Sequence, residues 1–213
     1  MIELLTSETP NGWKISIALE EMGLPYTVRH IALSKGEQKE DWHVKLNPNG
    51  RIPTIVDHDN GDFAVFESGA ILIYLAEKTG KLIPADAAGR WHTIQWVFFQ
   101  MAAVGPMFGQ VGFFHRFAGK DYEDKRPLER YRNESRRLLG VMEKQLEGRD
   151  WIAGDQYTIA DISLVGWVRN LVGFYGAREL VEFDSLKAVP AWLDRVLARP
   201  AVQRGLEIPA RPA

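Results

Sequence analysis

Apolar residues Ile15, Ala18, Leu19 and Met22 recur at the spacing of one buried helix face, and Gly23 followed by Pro25 ends the pattern. The short apolar run Ile2 to Leu5 before it reads as a strand, and Tyr26 to Ile31, with Val28 and Ile31 apolar, reads as a second. A helix between two strands is a crossover, so the pair is predicted to be parallel. Beyond the polar segment "SKGEQKEDWHVKLNPNG", the runs Pro53 to Val56 and Phe63 to Phe66 flank the turn cluster "DHDNGD" and predict an antiparallel hairpin. Ser68 then opens a helix whose face carries Ile71, Leu72 and Leu75, with Gly80 placed to end it. Residues 1–80 therefore read β-α-β-α-β-β-α, a mixed α/β domain.

The segment "GKLIPADAAG" breaks the pattern, and from about Gly89 only helical periodicity follows. Four helices are expected, in "WHTIQWVFFQMAAVGPMFGQVGFF", "LERYRNESRRLLGVMEKQLEG", "TIADISLVGWVRNLVGFY" and "PAWLDRVLARP". The predicted organisation is an α/β domain over residues 1–80, a linker over 81–88 and an all-helical domain over 89–213. Gly105-Pro106 predicts a kink in the first of these helices. In "YTIADI", Thr158-x-x-Asp161 has the spacing of a capping box, and its loss is expected to cost about 1 kcal/mol of stability without touching ligand binding.

Composition narrows the function. Over 213 residues, 46% are hydrophobic and 25% charged, an ordinary globular balance, and the formal net charge of -2 argues against a dedicated nucleic-acid binder. The absence of cysteine removes disulfides, thiolate metal sites and any thiol nucleophile of the protein's own. Any sulfur chemistry has to borrow its sulfur. The N-terminus lacks a basic, then apolar, leader pattern, and no window supplies the roughly 18 apolar residues of a membrane helix, so a cytoplasmic protein with no membrane partner is expected. Dinucleotide, P-loop and hydrolase-elbow motifs are missing, and His30, His43, His58, His92 and His115 never fall three or four apart, so no helical metal site is expected.

Three stretches of the first domain carry candidate chemistry. In "SETPNGWK", Thr9 or Asn11 can cap the helix, and the N–H groups beyond make a place for an anion. In "NPNGRIPTIVD", an Ile-Pro bond is usually trans; were it cis, the backbone N–H and C=O of Ile52 would face outward, able to pair with an extended peptide. In "FESGAILIYLAEKTG", Ser68 at a helix start suits a carboxylate and Glu67 an ammonium group, the two halves of an amino-acid head group. Each stretch taken alone is also explained as a cap or a turn.

Together with "YTIADISLVGWV" and "PAWLDRVLARPAVQRGLE", these stretches resemble the glutathione transferases over essentially the whole chain. The resemblance implies a thioredoxin-like N-terminal domain followed by a helical domain, and a homodimer. It implies that Pro53 is cis, that Ile52 pairs with the cysteinyl backbone of glutathione, with Arg51 beside it, and that Glu67 and Ser68 hold the γ-glutamyl end. Where many transferases place Tyr, Ser or Cys at the end of the first strand, this chain has Thr6, with Ser7 next. The pattern "TPNGWKISIALEE" is similar to the Nu-class and prion-regulator-like branch, whose bacterial members are glutathione-dependent disulfide-bond oxidoreductases. In that branch Thr9 and Asn11 would surround the thiol, and Gln38 and Arg130 match further glutathione-contacting positions.

The expectation is therefore a disulfide-bond reductase using bound glutathione thiolate, with two glutathione molecules, or glutathione disulfide, in its cycle. The alternatives are a transferase conjugating glutathione to hydrophobic electrophiles, steadied by Ser7 or Thr9, and a non-catalytic interaction module. In either enzymatic reading the second substrate is expected between the domains, against the helix that carries Trp96, Phe98, Phe99 and Phe108.

Overall fold

The computed structural model describes residues 1–210, so the last three positions of the expected helical domain lie outside the described residues. The chain divides into two compact units, one running from Met1 to Ile83 and resuming at Ala198, the other from Pro84 to Leu197.

In the first unit the strands are β1 (Ile2–Thr6), β2 (Tyr26–His30), β3 (Thr54–Asp57) and β4 (Phe63–Phe66). They form one sheet of order β2-β1-β3-β4, with β1 parallel to β2 and antiparallel to β3, and β3 antiparallel to β4. The crossover between the parallel pair is α1 (Pro10–Met22). Together with α2 (Asp41–Leu46) and α3 (Ser68–Thr79) this is the thioredoxin-like order β-α-β-α-β-β-α. The near-continuous apolar run of β1 fits its central place: Ile2, Leu4 and Leu5 are buried, whereas Val28 on the edge strand β2 stays exposed. One cluster joins Leu5, Ile31 and Val56 to Trp42 and Leu46 of α2 and to Ile52.

The predicted apolar face of α1 is buried throughout, as are Ile71, Leu72 and Leu75 of α3, and Gly80 ends α3 with a left-handed φ of 65°. Ser68 is the first residue of α3 and not its cap; Glu67 holds the cap position. At the far end of β3, buried Asp57 accepts from Tyr74 Oη at 2.6 Å and pairs with Lys78 Nζ at 2.7 Å, tying α3 to the sheet.

A short helix absent from the sequence reading, α9 (Pro200–Leu206), completes this unit. A Cβ on Gly205 would stand 2.6 Å from Ile17 Cα, so the backbones of α9 and α1 touch where only glycine fits. Ser16 Oγ donates to the Gly205 carbonyl at 2.6 Å, and Arg199 grips Glu21 through Nε and a terminal nitrogen at 2.6 and 2.8 Å. The chain therefore leaves the expected 89–213 domain at Leu197 and returns to the first unit.

The second unit is all helical: α4 (Ala87–Phe99), α5 (Gly105–His115), α6 (Arg126–Leu146), α7 (Ile159–Val172) and α8 (Ala188–Leu197). Just before Gly105-Pro106, where a kink is expected, a π-helical turn, Gln100–Val104, joins α4 to α5. The resulting Ala87–His115 run of 29 residues is long and apolar enough, by length and composition, to cross a bilayer, contrary to the sequence reading. Its Val97, Val104, Phe108 and Val111 are buried within this unit, where α4 and α5 pack on α7 and α5 packs on α6. Trp91, Phe98 and Phe113 of the same run stay exposed, and 39% of its most apolar window is buried. Helix α7 is buried on nearly every side, with Ile159, Ile162, Leu164, Val165, Val168 and Leu171 buried together with the polar Asp161, Ser163 and Asn170.

The expected capping box is present: Thr158 Oγ1 accepts from the Ala160 N–H at 3.2 Å, and Asp161 accepts from the Thr158 N–H at 3.0 Å. One residue of α6 caps α8. Glu143 accepts from the Lys187, Ala188 and Val189 N–H groups at 2.7, 2.9 and 2.8 Å.

Candidate functional site

The candidate site lies in the first unit, where β1 gives way to α1. Thr9 is the N-cap of α1: its backbone is extended and its Oγ1 accepts from the Gly12 N–H at 3.1 Å. A hydroxyl that accepts in this way keeps its proton to donate elsewhere, so capping and contact with a thiolate are compatible. Asn11 is part-buried in the first turn of α1. Ser7 is committed differently, since its hydroxyl donates to the Ile31 carbonyl and the residue is 4% exposed. The turn depends on Gly12, where a Cβ would stand 2.2 Å from the Ser7 carbonyl oxygen and 2.5 Å from Thr6 Oγ1.

A second group of expected residues gathers around the Ile52-Pro53 bond, which is cis. The N–H and C=O of Ile52 take no partner among the described residues, while its side chain packs on the Leu5 cluster. Asn47, overlooked in the sequence, braces this loop: its Nδ2 donates to the Arg51 carbonyl at 2.8 Å and to Thr54 Oγ1 at 3.2 Å, and its Oδ1 accepts from the Asn49 N–H at 3.0 Å. Gly50, at φ 58°, lies against Gln38, whose carbonyl oxygen would be 3.0 Å from an added Cβ. The turn thus brings Gln38 to the Arg51-Ile52 loop. The Gln38 side-chain Oε1 is buried without a hydrogen-bond partner, and a buried acceptor left open invites a donor from outside the chain. Arg51 is exposed.

The third group is at the head of α3. Glu67 is exposed and held at a left-handed φ of 69°, a conformation that costs a non-glycine residue about 1 to 3 kcal/mol. Ser68, 3% exposed, accepts at Oγ from Lys14 Nζ at 3.1 Å. Lys14 is 1% exposed; burial lowers its pKa to about 7, with the Glu67 carboxylate opposing the shift. The Lys14-Ser68 bond thus links the α1 carrying Thr9 and Asn11 to the α3 carrying Glu67.

Sequence reasoning passed over Lys14, although a signal was there. It precedes Ala18 and Met22 at successive intervals of four, which puts a cation on the apolar face of α1. Arg130 belongs to the second unit, exposed on α6. Among the described residues, no group of three or more His, Asp or Glu side chains is placed to hold a metal ion.

The sequence carries the N-terminal domain of glutathione S-transferases over residues 9–78 and their C-terminal domain over residues 98–200. It is 43% identical to glutathione S-transferase 2 of Schizosaccharomyces pombe, over 93% of this chain and 91% of that protein. With the disulfide-bond oxidoreductase YfcG of Escherichia coli the identity is 39%, over 97% and 94% of the two chains. A crystal structure of a glutathione transferase from Burkholderia graminis, with two glutathione molecules bound per subunit, superposes with a TM-score of 0.96 at 57% identity, covering 99% of this chain and 89% of that one. A thioredoxin-like unit, an all-helical unit and these full-length similarities agree: the chain belongs to the glutathione S-transferase family and is an enzyme of that family.

Proposed function

We propose that the protein is a glutathione-dependent disulfide-bond reductase. In this reading Ile52 pairs through its N–H and C=O with the cysteinyl backbone of glutathione, and Gln38 and Arg51 contact the same molecule. Glu67 takes the γ-glutamyl ammonium and Ser68 its carboxylate, and Arg130 is a further glutathione-contacting residue. The Thr9 hydroxyl and the Asn11 amide donate to the sulfur.

The observation that supports the reading is the pairing of Ser7 with the Ile31 carbonyl, which commits the Ser7 hydroxyl proton, while Thr9 Oγ1 accepts from Gly12 and keeps its own to donate. A free cysteine thiol titrates near pH 8.5. Lowering that by about two units takes roughly 2.7 kcal/mol. One hydrogen bond to an anion contributes about 1.5 to 3 kcal/mol, and a helix N-terminus about 0.3 to 1, so no ionisable side chain is needed.

The chemistry is thiol-disulfide exchange. Glutathione thiolate attacks one sulfur of the substrate disulfide, the S–S bond breaks, and the departing thiolate takes a proton. A second glutathione attacks the glutathione sulfur of the mixed disulfide, releasing the second substrate thiol and glutathione disulfide. Two glutathione molecules lose the electron pair that the substrate gains. With no cysteine in the chain, both sulfurs come from glutathione. The two glutathione molecules of the Burkholderia structure and the oxidoreductase name of the E. coli relative support this stoichiometry for the present chain.

A second reading, conjugation of glutathione to an electrophilic carbon, is favoured by the similarity to the fission-yeast transferase. Turnover of a small model disulfide and of a chloro-nitro-aromatic, each with glutathione, separates the two. Brisk disulfide reduction is expected; background disulfide turnover with brisk conjugation would transfer the assignment to the second reading. A homodimer in the cytoplasm, where reduced glutathione is abundant, completes the proposal.

A further inference from the structure

We propose that Asn47 is a positioning residue for glutathione: its side-chain amide holds the Arg51 carbonyl inward and so aims the Ile52 N–H at the cysteinyl carbonyl of the ligand. The inference rests on the proposed pairing of Ile52 with the cysteinyl backbone.

A trans peptide unit is planar, and its C=O and N–H point to opposite sides. The unit joining Arg51 to Ile52 is trans, since the cis bonds of the described residues are Ile52-Pro53 and Ile208-Pro209. The direction of the Arg51 carbonyl therefore fixes that of the Ile52 N–H. Buried Asn47 donates to that carbonyl through Nδ2 at 2.8 Å, and the same nitrogen donates to buried Thr54 Oγ1 at 3.2 Å. The carbonyl thus points into the protein and the N–H out of it. Among the described residues that N–H takes no partner, which leaves it to a ligand.

Asn47 can hold this direction because each of its own polar groups is fixed. Its Oδ1 accepts from the Asn49 N–H at 3.0 Å, its N–H donates to the His43 carbonyl at 2.8 Å, and its C=O accepts from the Gly50 N–H at 2.9 Å. It is the C-cap of α2. At the other end of the brace Thr54 is set in the sheet, opposite Leu5 of β1 and Phe66 of β4. Two donors and one acceptor on a short side chain are the inventory of asparagine. Aspartate keeps the acceptor for Asn49 but sets a second acceptor against the Arg51 carbonyl, so the peptide unit has to turn and the Ile52 N–H with it. A donor aimed before the ligand arrives spares the ordering that binding otherwise costs.

The test uses the full-length protein, S-methylglutathione and two analogues of it in which one amide is replaced by a trans alkene. The analogue altered between cysteine and glycine lacks the carbonyl that the Ile52 N–H meets. The one altered between the γ-glutamyl group and cysteine lacks the N–H that meets the Ile52 carbonyl. Calorimetry reads the affinities, and the wild type should bind either analogue about tenfold more weakly than the parent. Asn47→Ala should bind the parent and the second analogue about five- to tenfold more weakly than the wild type does, yet match the wild type within about twofold on the carbonyl-free analogue. In turnover its KM for glutathione should rise with kcat held within about twofold, since the bond is made alike in ground and transition states. Asn47→Asp carries the same comparison where the alanine variant does not fold. A variant that weakens all three ligands by one factor overturns the inference and leaves the Ile52 pairing in place. Equal wild-type affinity for the parent and the carbonyl-free analogue removes that pairing and the inference with it, whether or not either variant folds. Absence of S-methylglutathione binding to the wild type would instead remove the glutathione-binding reading itself.

Discussion

Trp192 on α8 donates its indole N–H to the carboxylate of Asp161 on α7 at 2.8 Å. The same carboxylate accepts from the Ile152 N–H at 2.9 Å and the Thr158 N–H at 3.0 Å, and Asp161 is fully buried. The sequence spacing suggested a cap alone, with a loss of about 1 kcal/mol. Truncation would instead strand three donors inside the protein, each costing about 1 to 3 kcal/mol when unsatisfied. Asp161→Ala is therefore expected to lower the unfolding free energy by about 3 kcal/mol or more, read from urea denaturation. A loss near 1 kcal/mol would mean that water reaches the stranded donors.

Glu143 does for α8 from a distance what Thr158 does for α7 locally. Burial pushes its pKa up, but the Ala188, Val189 and Lys187 N–H groups and the Lys187 charge pull harder, and the net shift is downward. A carboxylate depressed in the folded state adds stability above its unfolded pKa and loses it as pH falls through the folded one. Glu143→Gln should cost about 1 to 2 kcal/mol at neutral pH, and the gap from wild type should narrow below about pH 4. Denaturation of both proteins at several pH values measures it; a gap independent of pH would assign the loss to geometry alone.

Gly205 meets the backbone of Ile17 with no room for a methyl group, the nearest atoms being backbone at 2.6 and 2.7 Å from a Cβ. Gly205→Ala cannot be relieved by rotating a side chain, so α9 has to shift from α1. A loss of about 1 to 3 kcal/mol is expected, as for other overpacked interiors, despite the better helix propensity of alanine. Thermal melting checks the sign, and stabilisation would show that the contact is looser than described.

Legibility in the sequence followed the range of the interactions. The β-α-β opening, the hairpin and the buried faces of α1 and α3 were readable because period and turn chemistry are local. So was the Thr158-Asp161 box. Helix α9 was not: Pro200 reads as a stop, and the reason for a short helix there is the contact of Gly205 with Ile17, distant in the chain. Thr9 was readable as a cap, whereas the commitment of Ser7 depends on the Ile31 carbonyl one strand away. Lys14 was visible as a cation on an apolar face, but its meaning required Ser68.

Burial of Lys14 also leaves a signature in stability. An ordinary lysine titrates near 10.5, whereas this one sits near 7, so between those values the unfolded chain binds the extra proton. A lysine depressed in this way makes the fold more stable as pH rises from about 7 to 10.5. Lys14→Met lacks the effect, and the wild type should gain on it by about 1.4 kcal/mol per pH unit in that window. Parallel stability curves for the two proteins would mean that water or a counter-ion keeps the ammonium solvated.

The sulfur-holding role proposed for Thr9 and Asn11 is separable from capping, because Thr9 Oγ1 accepts from Gly12 whether or not it donates outward. Thr9→Ala removes both functions, so about 1 kcal/mol of stability should go with it. Thr9→Ser keeps both and should restore stability and turnover together. If each donor supplies one hydrogen bond to the thiolate, Thr9→Ala and Asn11→Ala should each lower kcat/KM for a model disulfide about tenfold or more. The limb of the pH-rate profile that reports the thiol should also move to higher pH, since a thiolate with one donor fewer is a stronger base. A cap has no means of moving that limb. Unchanged turnover and an unmoved profile in both alanine variants would reduce the turn to a helix start and return the sulfur contact to another group.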